Sequence, residues 1–210
     1  MIKPFDPKIE VAILIHPLEA RRRIATGRMA HLFLENSQLI EGHNFSENAA
    51  VNALIERSDA QKVVLYPGKN AFDLSSGKAE LQNLIPCDKN LVVFVIDGTW
   101  ATARQTMNVS TNLKALPKVC FTPDRPSQFR VRKQPRPFCH STIEAIHQLI
   151  EMIGPLKGFS VQGRSHDGLL AGFQFLVANQ LQLIQNASNP RRLSGQPRWR
   201  TKLRRLRRRP

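Results

Sequence analysis

No hydrophobic run in these 210 residues approaches the roughly 18 that a membrane helix needs, so no membrane partner is expected. The start, MIKPFDPKIE, lacks the apolar stretch of an export signal, and a cytoplasmic protein is the expectation. Cysteine is scarce. Cys87, Cys120 and Cys139 are far apart and odd in number, which offers neither a disulfide framework nor a CxxC metal knuckle. Cys139 precedes His140, but neighbours on an extended segment point to opposite faces, so the pair does not read as nucleophile and base. Acidic residues are few: 16 stand against 31 Lys and Arg, a formal net charge of +15. That excess points to a polyanionic partner, with nucleic acid ahead of an anionic membrane surface.

The charge is uneven. From Ser188 onward, SNPRRLSGQPRWRTKLRRLRRRP holds ten of the 31 basic residues and no acid. The body keeps 21 against 16, a net charge of only +5. Pro190, Gly195 and Pro197 oppose a helix through the start of this segment, which reads as a cationic arm that orders on RNA. Its Arg198, Arg200, Arg204 and Arg205 suit phosphate contacts, which add affinity and salt sensitivity but little sequence choice. Trp199 either stacks on an unpaired base or folds back onto the body. The expected organisation is a domain over residues 1–187 and a flexible basic tail over 188–210.

Within the body, short apolar runs rich in β-branched residues predict strands at Val11–His16, Lys62–Tyr66, Leu91–Ile96 and Lys118–Phe121. Helical periodicity predicts helices over Ser46–Arg57, Thr99–Asn108, Ser141–Ile153 and Asp167–Ile184. Ala50, Leu54 and Ile55 mark the inner side of the first. Ile143, Ile146, Leu149, Ile150 and Ile153 mark that of the third, and Leu169, Leu170, Phe173, Leu176, Val177 and Leu181 that of the last. Strands apolar throughout, alternating with helices, imply an α/β domain on a mostly parallel sheet. Ser75–Asn90 and Pro123–Phe138 read as long connections of the kind that carries function.

The strongest local pattern is LVVFVIDGTW, residues 91–100. A buried strand ends on Asp97, the chain turns at Gly98, and a helix follows. Ligands of open α/β sheets bind outside the carboxyl ends of strands, so an acid there suits a site. An Asp that merely caps the next helix is the structural alternative.

DGTWATAR resembles the signature of the DTW-domain family, named for Asp-x-Thr-Trp. Four further segments resemble family elements in the same order: HPLEARRRIATGR (16–28), LYP (65–67), FRVR (129–132) and STIEA (141–145). Together they span about residues 11 to 185. The resemblance implies a SPOUT-like α/β fold, knotted near the C-terminal part of the domain, that binds S-adenosylmethionine (SAM). It implies transfer of the 3-amino-3-carboxypropyl group of SAM to a uridine of tRNA, the ribosomal-RNA enzymes being close kin. Family members commonly carry an N-terminal cysteine cluster; this sequence shows none, and no metal is expected. Ala25 stands where the family usually has Asn.

On this reading Asp97 accepts or orients the uridine N3 proton. Thr26, Leu65, Tyr66, Pro67, Gly98, Thr99, Trp100, Ser141 and Thr142 surround SAM. Thr99 also suits a helix cap, and Trp100 either packs on the cofactor or joins the core. Ser141 and Thr142 hold the SAM carboxylate at a helix start, cap that helix, or do both. Arg22 and Arg28 belong with His16 and Glu19 at a substrate entrance. Arg130 and Arg132 share a face on an extended strand and suit tRNA phosphate or the SAM carboxylate, unless one pairs with Glu144. Two other activities fit the same motifs less well: a SAM-dependent RNA methyltransferase, and a noncatalytic RNA-binding or ribosome-assembly factor. Oligomeric state is open.

Overall fold

The computed structural model describes residues 2–22, 24–75, 78–131 and 138–186. In chain order the elements are β1 (Glu10–Ile15), α1 (Pro17–Ala20), α2 (Thr26–Phe33), β2 (Ser37–Glu41), α3 (Ala49–Glu56), β3 (Ala60–Leu65), β4 (Phe72–Asp73) and α4 (Lys78–Leu84). These are followed by β5 (Asn90–Asp97), α5 (Trp100–Val109), α6 (Thr111–Ala115), β6 (Lys118–Cys120), α7 (Thr142–Ile153) and α8 (Asp167–Asn186), with two 3-10 turns between the last helices. The six strands form one sheet in the order β2-β1-β5-β3-β6-β4, and every neighbouring pair is parallel. The mixed α/β class and parallel sheet therefore agree with expectation.

Strand periodicity builds two cores. In β5, Leu91, Val93 and Val95 face one side, with Val11 and Ile13 of β1 and Val63 of β3. Val92 and Phe94 face the other, with Ala12, Leu14 and Val64. The first side is covered by α2, α4, α7 and α8, and the second by α3, α5 and α6. Covering both faces is what a parallel sheet requires, since its crossovers place helices there. All five isoleucine and leucine positions expected on α7 are buried. Gly172 of α8 lets that helix close on α2: a Cβ there would stand 2.7 Å from Cζ of the buried Phe33 ring.

Each of the four expected strands and four expected helices is present within a few residues. Others were not foreseen. Edge strand β2, SQLIE, is only half-buried, so its apolar signal is weak. Ser75–Asn90 is not a plain connection: it holds α4, whose Leu81, with Ile85 just beyond, enters the core one turn apart. On α3 the inner positions are Val51 and Leu54, with Ile55 packed beside them as expected, while Ala50 lies off this face and is exposed; Asn48 is the N-cap, two residues beyond the expected start at Ser46. Phe129–Val131 is not strand: Phe129 is buried, and the Arg130 N–H bonds the Gln128 carbonyl at 2.8 Å in a local turn. Arg132 and the segment 187–210, with Arg198, Trp199, Arg200, Arg204 and Arg205, lie outside the described residues.

Phe94 is fully buried at the centre of the second core. Phe94→Ala should lower unfolding stability by about 3–5 kcal/mol through lost burial and a residual cavity, measured by urea denaturation.

Candidate active site at the carboxyl edge of the sheet

From β1 the chain steps outward to β2, then crosses to β3 on the far side, and β5 later fills the gap between β1 and β3. The carboxyl ends of these central strands thus border the point where the winding direction changes, the usual ligand crevice of open α/β sheets. Asp97 ends β5 there, opposite Ile15 of β1. The two-residue period that buries Val93 and Val95 also turns Asp97 towards α2 and α7. Its side chain is only 5% exposed. Oδ1 accepts hydrogen bonds from the hydroxyls of Thr26, at 3.4 Å, and of Thr142. These are the first residues of α2 and α7, so one carboxylate joins two helix starts, where the helix dipoles favour negative charge.

Gly27 permits this contact. A Cβ at that position would lie 2.7 Å from both Cγ and Oδ2 of Asp97. Ala25, the α2 N-cap, supplies no side-chain acceptor, so the usual capping bond of an Asn at this position is missing. On α7 the cap is local: the Glu144 carboxylate accepts from the Ser141 N–H and hydroxyl. Glu144 also accepts from the Ser127 hydroxyl and the Gln128 N–H at 2.7 Å each, which ties the β6–α7 loop to the helix. Of the two arginines considered as alternative partners of Glu144, Arg130 is exposed and forms no such pair among the described contacts, and Arg132 lies outside the described residues.

Around Asp97 the other sequence-selected residues take distinct places. Thr99 caps α5, its hydroxyl accepting from the Thr102 N–H at 3.0 Å. Trp100 opens α5 at 40% exposure, which removes the core-burial alternative. Leu65 ends β3, and Tyr66 and Pro67 follow it at the same edge, Tyr66 half-buried and Pro67 exposed. Burial raises the Tyr66 phenol above its ordinary value, with Arg104 nearby opposing the shift. Thr26, Ser141 and Thr142 commit their hydroxyls to Asp97 and Glu144, so the helix starts offer ligands mainly backbone N–H groups. Arg22 pairs with buried Glu19 at 3.2 Å, and Arg28 donates to the Ala20 carbonyl. Both are exposed beside the carboxyl end of β1, and Arg130 is exposed on the β6–α7 loop.

Two features escaped the sequence reading. His43 follows edge strand β2, and its ring meets His16 edge-on, with centroids 5.3 Å apart. Burial, then His43, hold the His16 imidazole below the usual histidine range, and Glu19 opposes this. The second feature is a group of His147, Glu151, His166 and Asp167 between α7 and α8, its imidazoles buried and its carboxylates partly exposed. Its available signal was a His and an acid one helical turn apart on α7, followed by the adjacent pair His166-Asp167.

The parallel sheet covered on both faces, with a buried carboxylate and several helix starts at its switch point, places the domain in the doubly covered, open-sheet α/β class, whose members bind ligands at such an edge. The DTW domain model matches residues 1–181, and the chain belongs to the DTW-domain family. It is 27% identical over 148 residues to tRNA-uridine aminocarboxypropyltransferase 2 of Drosophila melanogaster, covering 69% of this chain and 56% of that protein. It is 25% identical over 183 residues to the Mus musculus protein of the same name, covering 86% and 58% respectively. The chain spans a little over half the length of these relatives. No solved structure matches it.

Gly27→Ala should force Asp97 or α2 to move and cost about 1–3 kcal/mol, because the added Cβ would overlap the buried Asp97 carboxylate. Thermal denaturation measures the loss; a melting temperature equal to that of the parent chain would refute the close fit.

Proposed function

We propose that this protein is a SAM-dependent tRNA-uridine aminocarboxypropyltransferase. It forms 3-(3-amino-3-carboxypropyl)uridine in tRNA and releases 5′-methylthioadenosine. The observation that carries this reading is the position of the DGTW segment at the end of the central strand, in a chain whose DTW match covers residues 1–181. The names of the Drosophila and mouse relatives support the same reaction. The proposal extends to a SPOUT-like, knotted course for the C-terminal part of the domain and to a cytoplasmic location. No described helix is long and apolar enough to cross a membrane.

SAM supplies a sulfonium whose attached carbons are open to displacement. The uridine N3 attacks the methylene carbon of the aminocarboxypropyl arm, the carbon–sulfur bond breaks with its electrons going to sulfur, and the N3 proton must leave. The protein's part is positioning, because methyl and aminocarboxypropyl carbons are both activated and geometry selects between them. The residues fit such a co-substrate in kind. N–H groups at the starts of α5 and α7 suit its carboxylate, and Trp100 with Leu65, Tyr66 and Pro67 suits its apolar and aromatic parts. Arg22, Arg28, Arg130 and Arg132 serve tRNA phosphate, aided by the basic tail through Arg198, Arg200, Arg204 and Arg205, with Trp199 against an unpaired base.

Asp97 is assigned to accept or orient the N3 proton. Its burial and its two threonine donors favour a second role, holding α2 and α7 at the fixed spacing that SAM requires. Asp97→Asn separates the two, since Asn keeps the shape and one acceptor oxygen but is a far poorer base. Loss of about 10²-fold or more in turnover with SAM affinity retained supports the proton role. Full activity would leave Asp97 as a structural clamp alone.

The direct assay incubates the purified chain with SAM and unmodified tRNA transcripts, followed by mass spectrometry of nucleosides and small molecules. Aminocarboxypropyluridine with methylthioadenosine is expected. Methylated nucleoside with S-adenosylhomocysteine would replace the proposal with an RNA methyltransferase, and RNA binding without SAM binding would replace it with a binding factor. Removal of residues 188–210 should weaken tRNA binding and flatten its salt dependence by several units of log affinity per log salt, read by filter binding, given ten basic residues in that segment.

A further inference from the structure

The group between α7 and α8 is not explained by the transfer reaction. His147 and Glu151 stand one helical turn apart on α7, and His166 and Asp167 are adjacent where α8 begins. One ligand atom from each lies within 4.8 Å of every other. His147 Nε2 is 2.9 Å from Asp167 Oδ1, and His166 Nε2 is 2.8 Å from Glu151 Oε1 and 3.8 Å from Asp167 Oδ1. A tetrahedral ion with bonds of about 2.0–2.1 Å sets its ligands roughly 3.3 Å apart, so modest side-chain motion converts one arrangement into the other.

Burial is graded across the group. The imidazoles are innermost, His166 at 0% and His147 at 6% side-chain exposure, and the two rings lie 4.8 Å apart. The carboxylates face outward, and the Arg164 guanidinium covers them from solvent at 54% exposure. It donates to Glu151 Oε1 at 2.6 Å and to both oxygens of Asp167 at 2.7 and 2.8 Å. Arg164 does this from a left-handed backbone conformation, φ 50°, that is uncommon outside glycine, Asn and Asp. His166 carries the second independent sign. Its ring is fully buried, and Nε2 is aimed into the group between the Glu151 and Asp167 carboxylates.

We infer that His147, Glu151, His166 and Asp167 form a site for one divalent transition ion of the zinc type, and that Arg164 holds the carboxylates when the ion is absent. Two nitrogen and two oxygen donors suit Zn²⁺ or Co²⁺ and disfavour Mg²⁺ and Ca²⁺, which prefer oxygen alone. The site clamps α8 to α7, the helix whose first residue bonds Asp97, so its role is structural and separate from the displacement step. Entry of the ion requires only that the exposed guanidinium swing into solvent.

The test uses the full chain, freed of metal by a chelator and titrated with Zn²⁺ by calorimetry and with Co²⁺ by visible absorption. One equivalent is expected, with tetrahedral Co²⁺ bands and a melting temperature raised by Zn²⁺. Glu151→Gln and Asp167→Asn keep side-chain shape and should each weaken binding by about tenfold or more, while Arg164→Gln should tighten it by a similar factor. His147→Gln should abolish the Co²⁺ bands, with circular dichroism confirming that the variant is folded. Failure of both the parent chain and Arg164→Gln to take up Zn²⁺ at about 100 μM, well above the Kd of a structural site, overturns the inference. So does uptake that Glu151→Gln and Asp167→Asn leave unchanged, which would assign the ion to the free thiols. None of these readouts depends on transferase activity.

Discussion

The organising contact of this domain is the buried carboxylate of Asp97 against the first residues of α2 and α7. A charge so far from water survives only where donors and dipoles compensate it. Two threonine hydroxyls and two helix starts supply such donors and dipoles here. Gly27 is the steric counterpart of that electrostatic demand. Because α2 and α7 cover the same face of the sheet, with α8 packed on both, the position of one side chain sets the frame for half the domain.

The same contact shapes the crevice. Thr26, Ser141 and Thr142 turn inward to hold the protein together, leaving backbone N–H groups and the exposed Trp100 as the groups that face outward. Signature residues of the DTW family thus divide into those whose side chains bond within the fold, such as Thr99, and those exposed at the edge, such as Trp100, although they stand side by side in the chain. Exposed Arg22, Arg28 and Arg130 rim this edge, whereas the largest charge excess lies beyond residue 187.

Along the second half of α7 a further polar group joins α7 to α8 through two imidazoles, two carboxylates and Arg164. α7 is thereby fixed at its start by Asp97 and towards its end by this cluster, with Ile143, Ile146, Leu149 and Ile150 buried between them. Polar anchors at both ends of an apolar stripe define register along the helix axis, which hydrophobic contact alone leaves loosely specified.

Sequence by itself determined the parallel α/β class, four strands, four helices and the placement of Asp97 at a strand end, because each rests on local periodicity or on one contiguous motif. β5 reads as LVVFVID whatever surrounds it, and the isoleucine spacing of α7 admits one buried face. The half-buried edge strand β2 and the short α4 were not legible, since their apolar positions gain meaning only against a sheet or core already formed. Nor could spacing reveal that Trp100 is exposed, that Glu144 serves Ser127, Gln128 and Ser141 rather than Arg130, or that His147 meets Asp167 twenty residues away. These depend on which helix starts converge at one edge and which helices cross. The tertiary structure decided them because contacts between elements follow from packing in space, while the sequence pattern specifies each element one at a time.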